Sequence, residues 1–505
     1  MPVLDARTTS GVHEAEVARL VQAYAALPPD APVRLAKRTS NLFRFRDATA
    51  GATAELDVSA FGHVLSVDPV TRTARVGGMT TYEDLCDATL PHQLMPLVVP
   101  QLKTITLGGA VTGLGIESTS LRNGMPHESV TALEILTGDG RVVVATDDNE
   151  HADLFRGFPN SYGTLGYSLS LTIELEPVRP YVHLRHFPFD SAEACMEAVS
   201  QIAAEGSYRG HKADFVDGTA FAPDELYLTV GAYSDVAPWR SDYTGQQIYY
   251  QSVRRDKEDF LTIRDYLWRW DTDWFWCSRP FGVQKPLVRM LWPRRYRRSD
   301  VYRKLVALDR RYGLSGALTR KRHLPSREAV IQDVEIPVER GAEFLRYFAA
   351  NVGMSPVWMC PLRLRGERSW PLYPLKPGEV YVNFGFWGPY RCPGIYGTRQ
   401  TAITTASSRT RSACWAGTSR CTPRRSIPRT SSTSSTTARR TAPSSEPTTA
   451  RAGCSACMRS ASRDADRKER MRWHWLRSSS HSWGRTPRWS SWPMTAAMPG
   501  RPELR

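Results

Sequence analysis

Long apolar runs are missing from this sequence of 505 residues: no stretch of eighteen or more consecutive apolar residues occurs in it. A membrane-spanning helix needs about 20 such residues, so we expect no spanning helix. The first residues also lack the apolar core of an export signal and follow helix spacing instead. We therefore expect a cytoplasmic location, with peripheral contact at the inner face of the membrane as an open alternative.

Cysteine is scarce in the first 388 residues. It occurs there at four widely separated positions: Cys86, Cys195, Cys277 and Cys360. This spacing does not indicate a disulfide framework and favours a reducing compartment. Near the end of the chain, Cys454 and Cys457 have the C-x-x-C spacing. No second pair at metal-ligand spacing accompanies them, so we expect no metal site.

Residues 389–505 lack Val, Phe and Asn and contain one Lys, yet they include six Trp and long Ser/Thr/Arg tracts. They hold 22 of the 66 basic residues but 5 of the 51 acidic ones, so the rest of the chain is close to neutral. A segment so poor in aliphatic residues cannot offset its ordering entropy. We interpret it as a disordered basic tail or, preferably, as the frame-shifted translation of a GC-rich gene. A nucleic-acid-binding appendage is a third interpretation, but we expect no nucleic-acid partner.

The remaining chain divides into two regions by pattern. Short β-branched runs alternate with helical stretches and Gly-rich turns up to about Pro177, which indicates an α+β domain. A Pro-flanked segment then opens a second region with an aromatic stretch, Tyr266 to Trp276, and a basic segment, Arg294 to Arg298. We predict a first domain with a backbone-lined binding surface at 1–178, a second domain at 179–388 and the tail at 389–505.

The strongest local signal is the Gly-rich stretch from Thr106 to Ser120, TLGGAVTGLGIESTS. Its glycines allow the backbone to approach a ligand closely and to aim N–H groups at a diphosphate. It is neither a G-x-G-x-x-G turn nor a P-loop, because no Gly-Lys-Ser/Thr follows. By itself, such a stretch also fits a set of tight turns that pack strands together.

Two flanking segments favour the ligand-binding interpretation over a set of tight turns. The strand VRLA runs into a basic, hydroxyl-rich loop upstream, and NSYGTLGYSLSLTIEL lies downstream. In this order, the three segments resemble the FAD-binding domain of the vanillyl-alcohol-oxidase type (PCMH-type). The closest resemblance is to the delta(24)-sterol reductase, or Diminuto-like, family, through LGIESTSLRNG, RDYLWRWDTDWFW, IQDVEIPVER and PVWMCPLRLR. The resemblance covers most of the stretch from Val33 to Gly388.

The resemblance implies an α+β fold, in which an FAD-binding domain of two α/β subdomains precedes a cap domain with an antiparallel sheet and helices. It also implies residues that bind FAD. These are Thr106, Leu107, Gly108, Gly109, Ala110, Val111, Thr112, Gly113, Leu114, Gly115, Ile116, Glu117, Ser118, Lys37, Ser40, Asn41, Gly163, Thr164 and Gly166. Relatives that tether flavin covalently use a His in the first phosphate loop, whereas Arg34 to Arg46 contains none. We therefore expect dissociable FAD.

The same family resembles enzymes in which NADPH reduces FAD and the flavin then passes hydride to a carbon–carbon double bond. Saturating such a bond also requires a proton, so an acid must lie in the substrate pocket. Our candidates for catalysis are Asp217, Asp333 and Glu335. The competing interpretation of Asp333 and Glu335 is alternating solvent-facing charges along one strand. For Glu117, we expect that backbone hydrogen bonds fix the flavin loop.

The substrate is expected to be lipid-like. The aromatic stretch could line a hydrocarbon pocket and, with the basic segment, seat the protein on an anionic membrane surface, although we favour a role as domain core for most of these rings. The chain begins with no apolar anchor, and its composition suggests a bacterial source. Resemblance to an actinobacterial branch implies a methylene-branched fatty acyl chain, with a sterol side chain second. An FAD oxidase of an alcohol, sugar or lactone is the alternative function, and the oligomeric state stays open.

Overall fold

The computed structural model describes residues 6–28, 31–36, 54–312 and 327–391, all within one compact unit. The helices are α1 (Ala6–Ala25), α2 (Tyr82–Thr89), α3 (Leu107–Gly113), α4 (Ser120–Asn123), α5 (Ala152–Gly157), α6 (Ala192–Glu205), α7 (Tyr249–Ser252), α8 (Ile263–Leu267), α9 (Pro286–Leu291), α10 (Ser299–Tyr312) and α11 (Val338–Asn351). None of the helices in these ranges combines the length and apolar character needed to cross a membrane.

The strands of the first half are β1 (Val33–Ala36), β2 (Ala54–Asp57), β3 (Val64–Asp68), β4 (Thr73–Gly77), β5 (Leu94–Pro96), β6 (Val130–Leu136), β7 (Val142–Ala145) and β8 (Tyr167–Pro177). Those of the second half are β9 (Tyr181–Phe189), β10 (Ser207–Tyr208), β11 (His211–Lys212), β12 (Phe215–Ala222), β13 (Glu225–Ser234), β14 (Glu258–Thr262), β15 (Arg327–Pro337), β16 (Val357–Leu362) and β17 (Tyr381–Arg391).

The first half forms a six-stranded antiparallel sheet in the order β3-β4-β8-β6-β7, with β5 paired to β8. Helix α3 lies so close to this sheet that Gly108 N donates to the carbonyl of Gly78 at 2.9 Å. A Cβ atom at residue 108 would lie 2.3 Å from Ser168 Oγ. Glycine is therefore required at residue 108 by packing within the domain, before any ligand is considered.

The second half forms a seven-stranded antiparallel sheet in the order β14-β9-β13-β12-β16-β17-β15. Helices α6 and α11 cover one face, where Met196 and Phe344 pack near Val334 and Phe384. The opposite face packs on the aromatic stretch, which shares a core with the first half of the chain. Because strand side chains alternate between faces, residues next to the helix-facing positions point toward that aromatic core.

The predicted α+β fold, with an antiparallel sheet and helices after the FAD-binding domain, is confirmed. The chain leaves the first sheet at Pro177 and enters the second at Tyr181, so the predicted boundary at 178 lies in this connection. The aromatic rings at 268, 270 and 274–276 are buried in the core, as the favoured interpretation predicted. Of the predicted tail, 389–505, the first three residues end strand β17, and the rest lies outside the described residues.

Candidate functional site

The Gly-rich stretch folds as helix α3 and the loop that follows it. Thr106 caps the helix, because its side chain accepts a hydrogen bond from Gly109 N at 3.2 Å. Gly109 is exposed. At Gly113 an added Cβ would meet no atom nearer than 3.8 Å. The outer surface of α3 is therefore a smooth, small-residue surface, onto which a ligand could lie against the backbone.

The second predicted contact, Gly163 to Gly166, lies against the C-terminal end of this helix. Tyr162 N donates to the carbonyl of Thr112 at 3.0 Å. The loop bends sharply, since Gly163 has a φ of 81° and Gly166 a φ of 129°. The tertiary structure thus brings the two predicted FAD-contacting segments together, although about 45 residues separate them in the sequence. Lys37, Ser40 and Asn41 lie outside the described residues.

Buried polar atoms beside these segments without a hydrogen-bond partner in the described part of the chain include Gln101 Nε2 and Ser161 Oγ. Gln101 follows Pro100, which packs on Gly115, and Ser161 lies in the loop against α3. Buried polar atoms are normally paired, so these two fit a polar ligand between the segments. The residues present are in this respect suited to FAD.

A fully buried ion cluster joins the Gly-rich loop to the second sheet. Arg269 Nη2 donates to Glu117 Oε1 at 3.0 Å and to Asp217 Oδ2 at 2.8 Å, and all three side chains are at most 3% exposed. The indole N–H of Trp270 also donates to Asp217 Oδ2 at 2.9 Å. The guanidinium lies 4.0 Å from the ring centre of Tyr266, a favourable cation–π distance.

One guanidinium group thus donates hydrogen bonds to two carboxyl groups in a site that is closed to solvent. Burial raises the pKa of Glu117 despite the opposing effect of Arg269, and the negative charge of Asp217 raises it further. With a proton on Glu117, the cluster of three side chains is electrically neutral. Glu117 is therefore a buried acid at the end of the Gly-rich stretch, and its hydrogen bond from Arg269 is a contact that we did not predict.

Six buried polar side chains form a row across the second sheet, on the face toward the aromatic core. They belong to adjacent strands in the order β9, β13, β12, β16, β17 and β15. The row consists of His186, Thr229, Asp217, Cys360, Asn383 and Glu335. Trp358 connects this row to the aromatic core, because its indole N–H donates to Asp217 at 3.4 Å. Asp217 is therefore common to the row and to the ion cluster, which makes it the centre of the candidate site.

The solvent-facing interpretation of Glu335 is wrong. Glu335 has no exposed surface and lies opposite Asn383 in the β15–β17 pairing. Asp333 is half-buried and accepts a hydrogen bond from Asn383 Nδ2 at 3.1 Å. The reason is that this face of the sheet packs on the aromatic core, to which Ile331 also contributes. The three predicted catalytic candidates therefore lie on one covered face, with Glu335 and Asp217 most deeply buried.

Sequence reasoning missed Arg269, His186 and Asn383. Arg269 stands between two tryptophans in a stretch that otherwise reads as core, and a lone cation there was the local signal that could have found it. His186 and Asn383 carry no such signal, because each lies in a strand whose buried face depends on the sheet around it.

The buried His186 leads to a prediction of how the stability of the protein depends on pH. Burial and the charge of Arg269 lower the pKa of His186 to about 3. The folded state therefore binds fewer protons here than the unfolded state below pH 6.5, so stability present above pH 6.5 is lost as pH falls toward 3. We expect the free energy of unfolding to fall by up to about 1.4 kcal/mol per pH unit below pH 6 from this group. Urea titrations at several pH values would show a shallower dependence in His186→Gln, whereas the partly exposed control His151→Gln should match the parent chain.

Comparison with known proteins agrees with this geometry. Residues 11–146 match the family model described as FAD binding domain. The chain is 27% identical to delta(24)-sterol reductase of Arabidopsis thaliana over 353 residues, covering 66% of this chain and 59% of the relative. It is 28% identical to delta(24)-sterol reductase of Mus musculus over 349 residues, covering 66% and 63%. It is also 31% identical to decaprenylphosphoryl-beta-D-ribose oxidase of Mycolicibacterium smegmatis over 132 residues, covering 26% and 28%.

These matches confirm the predicted FAD-binding domain and the resemblance to the delta(24)-sterol reductases. The chain spans about three fifths of the length of the reductases that it matches. The individual residues that contact FAD stay a prediction.

Proposed function

We propose that this chain is an FAD-dependent oxidoreductase that reduces a carbon–carbon double bond of a lipid, with NADPH as electron donor. The observation that carries the proposal is a pair of buried carboxyl groups. Glu117 lies in the Gly-rich stretch, and Glu335 lies on the sheet face that packs on the aromatic core. FAD, when bound, supplies the hydride-transfer chemistry. The protein must then supply the proton and exclude water.

In this proposal, the backbone from Thr106 to Ser118 and the loop holding Gly163, Thr164 and Gly166 bind FAD without a covalent bond. Lys37, Ser40 and Asn41 contribute phosphate contacts. The unpartnered Gln101 Nε2 and Ser161 Oγ support a polar ligand at this place. Precipitation with acid should leave the yellow colour in the supernatant, and a flavin that stays with the pellet would contradict non-covalent binding.

We assign the proton donor to Glu335 and positioning roles to Asp217 and Asp333. A carboxyl group donates a proton only while protonated, and burial away from water disfavours its ionised form. Asp217 is held in place by hydrogen bonds from Arg269 and Trp270, so we assign it to positioning. Asp333 accepts a hydrogen bond from Asn383, which lies opposite Glu335. We therefore assign to Asp333 the role of orienting Asn383 beside the proton donor.

The rings at 268, 270 and 274–276 are packed as core, so the lipid class rests on the named relatives and not on these rings. A methylene-branched fatty acyl chain is our first choice and a sterol side chain the second, the latter supported by relatives named delta(24)-sterol reductase. An FAD oxidase or dehydrogenase of an alcohol, sugar or lactone is a second candidate, favoured by the similarity of 132 residues to a named oxidase.

Stopped-flow spectroscopy of the flavin-loaded full chain under anaerobic conditions tests the proposal. We expect NADPH to bleach the flavin and a methylene-branched fatty acid to restore its colour without oxygen. The saturated acid of the same length is the control and should not restore it. If an alcohol, sugar or lactone bleached the flavin and NADPH did not, the result would contradict the reductase and support the oxidase.

We also propose peripheral contact with an anionic membrane through a surface made by α9 and the residues around it. Leu287, Met290 and Leu291 are 73%, 63% and 78% exposed, respectively. Exposed basic side chains, Lys285 and Arg295, flank them. An exposed apolar patch with basic neighbours complements the hydrocarbon and charge of an anionic bilayer surface.

Replacing Leu287 and Leu291 together with aspartate should weaken sedimentation with phosphatidylglycerol vesicles by more than tenfold, because each buried leucine contributes about 1.5–3 kcal/mol. A matched double variant, Val70→Asp with Val236→Asp, changes residues that are 91% and 70% exposed elsewhere and should bind like the parent. Equal weakening in both double variants would show that added negative charge, not the α9 surface, is responsible.

A further inference from the structure

A cavity lies at the edge of the second sheet, where β12 ends and β13 and β16 begin. It has a volume of about 830 Å³. Its apolar wall is aromatic, with Phe221, Tyr227 and Tyr250. Its charged lining consists of three arginines and one carboxylate: Arg254, Arg255, Arg279 and Glu225.

The charges in this cavity do not balance. Arg254 makes a two-pronged ion pair with Glu225, at 2.7 and 2.9 Å, and so uses the one carboxylate. Arg255 and Arg279 have no carboxylate within ion-pair distance among the described residues, although Arg279 Nη2 donates to Tyr250 Oη at 3.4 Å. Two guanidinium groups without a counterion, facing one cavity, form a site for an anion with two or more oxygens, such as a carboxylate or phosphate.

The aromatic core extends from this cavity to the buried polar row. The Tyr250 and Trp276 ring centres are 6.3 Å apart, and Trp276 stacks on Trp387 at 5.1 Å. Phe275 lies 4.4 Å from Trp387 and 5.8 Å from Trp358, whose indole N–H reaches Asp217. A continuous apolar layer therefore separates the unpaired arginines from the buried carboxyl groups.

We propose that this arginine cavity binds the anionic head group of the substrate, while its hydrocarbon chain extends along the aromatic core toward Asp217 and Glu335. The inference rests on the proposed function, because it specifies the lipid on which that site acts. A neutral sterol hydroxyl would leave both guanidinium groups unpaired, whereas a fatty carboxylate or a lipid phosphate pairs with them. The substrate class is thus an anionic amphiphile.

The experiment measures the binding of hexadecanoate, hexadecyl phosphate and hexadecanol to the flavin-loaded full chain by quenching of tryptophan fluorescence. We expect both anions to bind at least tenfold more tightly than the alcohol. Replacing Arg255 and Arg279 together with alanine should remove that difference. Arg240→Ala removes an exposed arginine that does not line the cavity and should leave all three affinities unchanged.

Three outcomes would overturn the inference: equal binding of acid and alcohol, inorganic phosphate binding as tightly as hexadecyl phosphate, or displacement of hexadecanoate by NADPH. The second would assign the cavity to free phosphate and the third to the dinucleotide. Anaerobic reduction of the flavin by NADPH, measured on the same preparation, separates this test from the proposed function. Arginine-dependent binding of the acid without such reduction would support the head-group site and contradict the NADPH-dependent reductase.

Discussion

Replacing Arg269 with methionine is expected to lower the free energy of unfolding by about 3–5 kcal/mol, because it leaves Glu117 and Asp217 buried without their shared cation. Methionine keeps much of the apolar volume, so loss of packing contributes less. The measurement is urea unfolding at pH 7 of the flavin-free protein. The effect should be larger at neutral than at acidic pH, because loss of Arg269 raises the pKa of the buried Glu117 further, whereas Glu117 ionises in the unfolded chain.

Arg264→Met is the matched control for this change. Arg264 forms an ion pair with Asp87 in which both side chains are about half exposed, and exposed pairs contribute only about 0–1 kcal/mol. Adding Glu117→Gln and Asp217→Asn to Arg269→Met should restore part of the lost stability, since no buried charge then remains in the cluster. Equal losses in Arg269→Met and Arg264→Met would contradict the buried cluster.

Replacing Glu335 with glutamine is expected to slow reduction of the lipid double bond by about 10²–10⁴-fold, the usual contribution of a positioned acid. Glutamine keeps the shape and can still pair with its neighbours, but it cannot donate an acidic proton. Reduction of the flavin by NADPH should keep its rate, because that step does not use this proton. Rapid-mixing measurements of the two half-reactions separate the effects.

Glu339→Gln is the control for Glu335→Gln, because Glu339 is exposed at the start of α11 and should leave both half-reactions unchanged. Asp333→Asn should slow the lipid step by less than Glu335→Gln, in line with a positioning role. A variant Glu335→Gln that reduces the lipid at the parent rate would remove Glu335 as proton donor and make Glu117, the buried acid at the Gly-rich stretch, the next candidate.

The Gly-rich stretch shows how far local sequence reaches. Its small residues and its place between two flanking segments predicted a backbone-lined ligand surface, and the outer side of α3 does carry small residues. That FAD binds there stays a prediction. Residue 108, however, is glycine because the helix packs on the sheet at Gly78 and Ser168. Sequence alone could not separate a packing glycine from one that contacts a ligand, since both need the same absence of a side chain.

The strand QDVEIPV shows the opposite case. Alternation along β15 correctly placed Asp333 and Glu335 on one face, but predicted that this face meets water. Whether a strand face is exposed to solvent depends on what packs against it. Here the aromatic core packs against it. A period of two residues identifies the faces of a strand without naming their environments.

By itself, the sequence determined the fold class and, through its resemblance to a known family, the FAD-binding character of the N-terminal part. It also predicted which segments bind the flavin, because glycine spacing and strand alternation are local properties. Only the tertiary structure decided that Arg269 pairs with Glu117, 152 residues away, and with Asp217, 52 residues away. It also decided that six strands align one polar residue each. Strand register and loop packing create such neighbours, and neither is encoded in any short stretch of the chain.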